Sequence, residues 1–393
     1  MSKIAKGIQA IWRLAGIVVF WLVVIEIVSF GLVRRLDARD AQIQELYWSQ
    51  SDSYQEEDWI DEYMADYFQI RLRWEPYVYW RRLPLQRRFI HVDEAGFRHT
   101  SPGLPPAEGT SALRIQVYGG STTWGEGVRD EATIPSLLSR GLAEHGVAAE
   151  VVNLGEGGYV FTQELIALLR RLHQGDVPDI AIFYNGLNDR YSAAQSGEAG
   201  IPQNEWNRRA EFNLSSRQIQ VLRLAIFGPR TGLYTFRLLH RLRRSADPDH
   251  ASRLDDPLAQ GVWDAYGSNV RTVRALGQAY GFVPLIYWQP VLYGKPQRTP
   301  FEDMLKQTQP AGFEEFFAAV QNRLQSDSGA QVMEGFHDIS DLFADIPDPL
   351  FIDFSHISEE GNRRVTERIL EDLVPIAEAL TLPSEPRSGS TGF

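Results

Sequence analysis

The sequence predicts an α/β protein: a parallel sheet with helices on both faces, carried behind one N-terminal transmembrane helix. Three observations lead there. From residue 113 onward, short apolar runs alternate with helical patterns, the rhythm of strand–helix–strand units. Several of those runs end in glycine, serine or asparagine words, at the strand ends where a parallel sheet gathers ligand chemistry. And Leu14 to Val33 is an apolar run of 20 residues holding one ionisable residue, Glu26.

The N-terminal run fits an uncleaved single-pass anchor better than a signal peptide. It is as long as a bilayer core requires, and it ends in Phe30-Gly31-Leu32-Val33-Arg34-Arg35 without a small-residue cleavage box. Lys3, Lys6 and Arg13 precede it; Arg34, Arg35 and Arg39 follow it, so the positive-inside rule is nearly balanced. The short N-terminal tail favours a cytoplasmic start and an exported (periplasmic) body. Glu26 is costly at membrane depth; it either meets a transmembrane partner or reaches interfacial water.

The 36–70 stretch mixes Glu56, Glu57, Asp58, Asp61 and Glu62 with Tyr47, Trp48, Trp59, Tyr63, Tyr67 and Phe68, which suggests an ordered helical stalk. A basic aromatic patch, Trp74 to Arg82, either packs on the following domain or rests near anionic head groups. Residues 100–109 read as a turn-rich loop. Strands are then expected over Leu113–Tyr118, Val151–Leu154, Ile180–Tyr184 and Val283–Trp288. Helices are expected over Ile134–Glu144, Phe161–Leu172, Asp264–Tyr280 and Gly361–Leu380. The 191–262 stretch interrupts this rhythm. Within it, Gln218–Phe227 and a basic amphipathic Leu233–Arg244 look helical, the latter suited to a membrane surface, an active-site cap or an ordinary solvated face. The division is thus a tail (1–13), an anchor (14–33), a stalk and packing segment (34–99), a catalytic-type domain (100–380) with its insertion, and a flexible tail (381–393).

Of the 393 residues 44% are hydrophobic, enough for one large core or a core plus a small subdomain. A formal charge of −12 argues against nucleic acid as the main partner. The chain has no cysteine, which removes disulfides, thiolate metal sites and a cysteine nucleophile from consideration.

Candidate chemistry lies in four words. Ser121 sits in Val117-Tyr118-Gly119-Gly120-Ser121-Thr122-Thr123-Trp124-Gly125, after the first strand and before a helix, where backbone N–H groups and the dipole favour a developing oxyanion. Gly158 follows the next strand in Asn153-Leu154-Gly155-Glu156-Gly157-Gly158, and Asn188 the one after in Gly186-Leu187-Asn188-Asp189. The N–H groups of Ser121 and Gly158 and the Asn188 amide could together hold a tetrahedral oxyanion, although an asparagine there also suits a plain turn. Asp353 and His356, in Phe351-Ile352-Asp353-Phe354-Ser355-His356, are spaced so that the carboxylate can fold back and fix the imidazole tautomer. Trp124, Tyr159, Trp288 and Tyr293 are candidate pocket walls, or core.

Together these words resemble the SGNH (GDSL-like) serine hydrolase superfamily, over roughly residues 112–190 and 335–375, in its membrane-anchored branch. The resemblance maps its serine on Ser121, glycine on Gly158, asparagine on Asn188 and histidine on His356, with Asp353 completing the triad. It departs at Gly120, where the family's usual aspartate is absent. It implies a three-layer flavodoxin-like sandwich, no metal or other cofactor, and ester hydrolysis through an acyl-serine, with an O-acylated glycan or lipid as substrate. Two other readings stay open: an O-acyltransferase using the same acyl-serine, and an accessory subunit of a membrane complex that retains the fold.

Overall fold

The computed structural model describes residues 3–108, 111–206, 208–209, 212, 234–235, 238, 254–326 and 335–382. Two compact units are present: Met1–Leu46 with Trp206–His250, and Tyr47–Glu205 with Ala251–Phe393.

In the first unit, helix α1 (Lys3–Ser49) enters the chain. Its Trp12–Asp37 stretch, with mean hydropathy 2.5, is long and apolar enough to cross a membrane. Glu26 finds its donors within the chain. Its carboxylate accepts from the backbone N–H groups of Tyr234 and Thr235 and from Thr235 Oγ1 at 2.8 Å, and Phe30 meets the Tyr234 ring edge to face. Three donors on one carboxylate remove most of its desolvation cost. The helix expected over 218–227, most of that over 233–244, and the flexible tail from residue 383 lie outside the described residues; Tyr234, Thr235 and Leu238 are helical.

The second unit opens with α2 (Ile60–Tyr67), then two short antiparallel pairs: β1 (Leu72–Glu75) with β2 (Tyr79–Arg82), and β3 (Leu85–Gln86) with β4 (His91–Val92). The expected stalk does not stand apart here. Trp48, Tyr54, Trp59, Ile60 and Tyr63 are buried and form a second core with Phe89, Trp124 and Ile352. Aromatic rings this dense gain more by covering apolar surface than by projecting into water.

The main sheet has β5 (Leu113–Gly119), β6 (Ala149–Asn153), β7 (Ile180–Asn185), β8 (Val283–Trp288) and β9 (Phe336–Asp338), all parallel, in the order β6-β5-β7-β8-β9. This is the 2-1-3-4-5 flavodoxin-like order, whose switch point lies between the first and third strands. Helices cover both faces: α3 (Ser121–Trp124), α4 (Ile134–Glu144), α5 (Phe161–His173), α6 (Leu187–Ser196), α7 (Asp256–Tyr280), α8 (Pro300–Gln307), α9 (Phe313–Ser326) and α10 (Glu359–Thr381). The central β7, Ile-Ala-Ile-Phe-Tyr-Asn, is buried throughout, as a strand covered on both faces must be. The helix expected from Asp264 starts eight residues earlier, because Asp255 caps Leu258 N–H at 2.9 Å and Pro257 fits the first turn. Strand β9 and helices α8 and α9 carried too short or too mixed a pattern to be read from the sequence.

Candidate active site

The strand ends bring the four words together. In register, Val117 lies beside Asn153 and Gly119 beside Tyr184, so the loops after β5, β6 and β7 leave one edge side by side. Ser121 begins α3 directly after Gly119-Gly120, and Gly120 has an extended backbone as the N-cap. A Cβ at Gly120 would stand 2.3 Å from Asn188 Nδ2, so a side chain there would require the asparagine amide to move. Helix α3 is fastened from outside: Asn153 Nδ2 donates to the carbonyls of Thr123 and Trp124 at 3.2 Å, and Thr123 Oγ1 donates to Tyr184 O.

Ser121, His356 and Asp353 form a continuous hydrogen-bonded chain. His356 Nε2 is 2.8 Å from Ser121 Oγ, and His356 Nδ1 is 2.7 Å from Asp353 Oδ2. Asp353 folds back as its spacing suggested. Its Oδ1 accepts from the N–H groups of Ser355 and His356, and its Oδ2 accepts the indole N–H of Trp48 at 2.9 Å. Trp48, in the last turn of α1, also sets its ring edge to face with the His356 imidazole, 6.0 Å between centroids. The loop carrying this pair is anchored from below. Glu302 Oε1 accepts the N–H groups of Leu350 and Phe351, and its other oxygen meets the fully buried Lys295.

On the oxyanion side, Gly158 takes φ +77, a left-handed turn open mainly to glycine. Asn188 Nδ2 donates to Tyr159 O at 2.8 Å, which orients the amide and leaves its second N–H to point elsewhere. Asp189 accepts the first N–H of α5, at Phe161. Burial, against that backbone hydrogen bond, pushes Asp189 up to about 6.

Of the four candidate wall residues, Trp124, Tyr159 and Trp288 are buried in ring clusters and do not line an open wall. Trp124 lies between the guanidinium groups of Arg82 and Arg98, at 3.7 and 4.3 Å from the ring. Trp288 packs under Gly186 against Tyr266 and Arg190. Tyr159 packs against Trp80 and donates to its carbonyl. Tyr293 is half-buried against Phe317 and Phe354. The position of these four near strand ends left wall and core both open; Trp124, Tyr159 and Trp288 are buried.

Four residues that the sequence did not single out complete the site: Trp48, Arg82, Glu126 and Glu156. Arg82 bonds Glu156 at 2.5 Å and also Glu126. Glu126 Oε2 in turn lies 3.2 Å from His356 Nε2. Burial would raise the Glu126 pKa, but His356 and Arg82 outweigh it and hold Glu126 at about 2. Burial would lower His356, but the Asp353 and Glu126 carboxylates outweigh it and raise it above its ordinary 6.5. Asp353, despite burial, is held well below the usual carboxylate range by His356. Ser121 and His356 are each 8% exposed, so only a narrow approach reaches the nucleophile. A cleft of about 1110 Å³ lies elsewhere, along edge strand β6 between Pro102–Pro106 and Asn153, and none of the triad lines it.

Set beside known proteins, the chain matches no family model and no curated protein. Among solved structures it is similar to the acetyl xylan esterase AlAXEase (15% identity, 66% of this chain and 100% of that one, TM-score 0.36). It is similar to Axe2, an acetylxylan esterase from Geobacillus stearothermophilus (13% identity, 67% and 94%, TM-score 0.34). It is also similar to a Clostridium thermocellum family 3 carbohydrate esterase (14% identity, 69% and 99%, TM-score 0.35).

Proposed function

We propose that this chain is a membrane-anchored extracytoplasmic serine esterase or deacetylase, working through an acyl-serine on an O-acylated glycan or lipid. The observation that carries the reading is the Ser121–His356–Asp353 chain, at 2.8 and 2.7 Å, placed at the switch point of the sheet. In the reaction, Ser121 Oγ gives its proton to His356 Nε2 and bonds to the ester carbonyl carbon. The oxyanion gathers donors from the Ser121 and Gly158 N–H groups and the Asn188 amide. The ester C–O bond breaks and the leaving alcohol takes the proton from Nε2. Water then attacks the acyl carbon, gives its proton to Nε2, and Ser121 recovers it as the carboxylic acid departs. Asp353 stays ionised throughout and holds Nδ1–H.

The apolar Trp12–Asp37 helix supports the anchor. The test is fluorophosphonate labelling of the full chain in detergent, wild type beside Ser121→Ala, at about pH 7 and about pH 9. Labelling at either pH that is lost in the variant is expected. No labelling of folded wild type at both pH values overturns the reading.

A further inference from the structure

Glu126 is a carboxylate outside the triad that touches the catalytic-type imidazole directly. It sits just after α3, 9% exposed, with Oε2 3.2 Å from the same imidazole nitrogen that meets Ser121 Oγ at 2.8 Å. Two elements hold it there. Arg82 of β2 grips Oε1 and is itself bonded to Glu156 and stacked over Trp124; Tyr67 of α2 adds a hydrogen bond.

An ionised carboxylate can only accept, so its contact with Nε2 is favourable only when Nε2 carries hydrogen. An Nε2 that carries hydrogen cannot take the proton of Ser121. With Asp353 on Nδ1, the Glu126 contact therefore favours the imidazolium form at rest, held between the two carboxylates. The other groups facing the clamp are Trp48 and Ser355 on Asp353, and Arg82, Glu156 and Tyr67 behind Glu126. Two carboxylates touch the ring, and the one guanidinium of this set, Arg82, meets the carboxylate and not the imidazole.

The leaving alcohol must bring its oxygen within reach of Nε2, because Nε2 protonates it. It must therefore lie beside Glu126 Oε2. We propose that Glu126 is the specificity residue for the alcohol half of the ester, accepting a hydrogen bond from a hydroxyl next to the ester oxygen, so that the substrate is an ester of a polyol. The substrate hydroxyl replaces Nε2–H at Oε2, the imidazolium proton leaves to water, and Nε2 becomes free to accept from Ser121. This rests on the esterase reading above and narrows its substrate to one with vicinal hydroxyls, on a sugar or a glycerol unit.

The test compares full-length wild type with Glu126→Gln, in detergent, on phenyl acetate, glycerol monoacetate and a mono-O-acetylated methyl glycoside, from about pH 5 to about pH 10. In the variant, kcat/KM for phenyl acetate at neutral pH should rise about tenfold or more, with its acid limb moved to lower pH. For one or both hydroxyl-bearing esters it should fall about 10- to 100-fold, as expected for a lost hydrogen bond to a charged acceptor. A fall on the glycoside alone assigns a glycan, and on the glycerol ester alone a lipid. Parallel change on all three esters, or an unmoved acid limb, overturns the proposal. Should Glu126→Gln fail to fold, the His356 ring in wild type decides by nitrogen NMR: a neutral imidazole at pH 7 without ligand overturns it. Fluorophosphonate labelling of wild type with no crossover between substrates defeats this proposal alone; no labelling at any pH defeats the esterase reading as well.

Discussion

At the scale of single residues, the indole of Trp48 is the least expected part of the site. It gives Asp353 Oδ2 a donor in addition to the imidazole. Trp48→Phe keeps the ring and removes that donor. A hydrogen bond to a charged group contributes about 1.5–3 kcal/mol, so kcat/KM should fall about tenfold or more, with little loss in folding cooperativity. Steady-state kinetics beside a thermal melt would check this; unchanged kinetics would leave the indole with a packing role only. Asn188→Ala removes one oxyanion donor and should lower kcat by about 10²–10³ while KM moves little. Ester turnover that survives intact would reassign Asn188 to holding Tyr159 O, to which its amide donates.

At the scale of elements, the loop that carries Asp353 and His356 depends on a buried ion pair below it. Lys295 donates to Asp348 O at 2.8 Å and meets Glu302, which holds the N–H groups of Leu350 and Phe351. Removing one member strands a buried charge, so Lys295→Met should destabilise the fold by about 3–5 kcal/mol, read by chemical denaturation. Legibility divides at this scale. Ser121, Gly158 and Asn188 could be found because each stands in a short word after a strand, and strand ends follow from apolar periodicity; Asp353 and His356 could be found from their three-residue spacing ahead of the last helix. Trp48, Arg82 and Glu302 could not, because their roles arise from chain folded back across long separations and nothing local marks them. Glu126 was within reach: a carboxylate five residues past the nucleophile, between Gly125 and Gly127, stands in the same turn. The aromatic stretch was legible as ordered but not as core, since density of rings does not say what they cover. The candidate wall residues stayed open between wall and core for the converse reason, since position near a strand end does not tell which face of the sheet a ring joins.

For the whole molecule, the three-membered charge cluster sets a pH window. The folded His356 pKa lies above its ordinary 6.5, so that contribution is complete below about pH 6.5 and is lost as pH climbs toward about 10. The Glu126 pKa is held at about 2, so its contribution is complete above about pH 4.5 and is lost as pH falls toward about 2. The part of the melting temperature that His356 and Glu126 supply should therefore be complete between about pH 4.5 and 6.5 and decline on both sides. His356→Gln should flatten the alkaline decline; an alkaline limb unchanged in that variant would place the responsible proton elsewhere. Trp48 also bears on how the chain can be cut. The indole that completes the Asp353 carboxylate belongs to the last turn of the helix that begins at Lys3. A protease acting at Arg34-Arg35 would shed a body that keeps its indole, whereas one acting beyond Ser49 would shed a body without it. On the anchored-esterase proposal, the two cuts are separated by roughly one stretch of helix, and the position of the scissile bond decides whether the released body keeps the donor to Asp353.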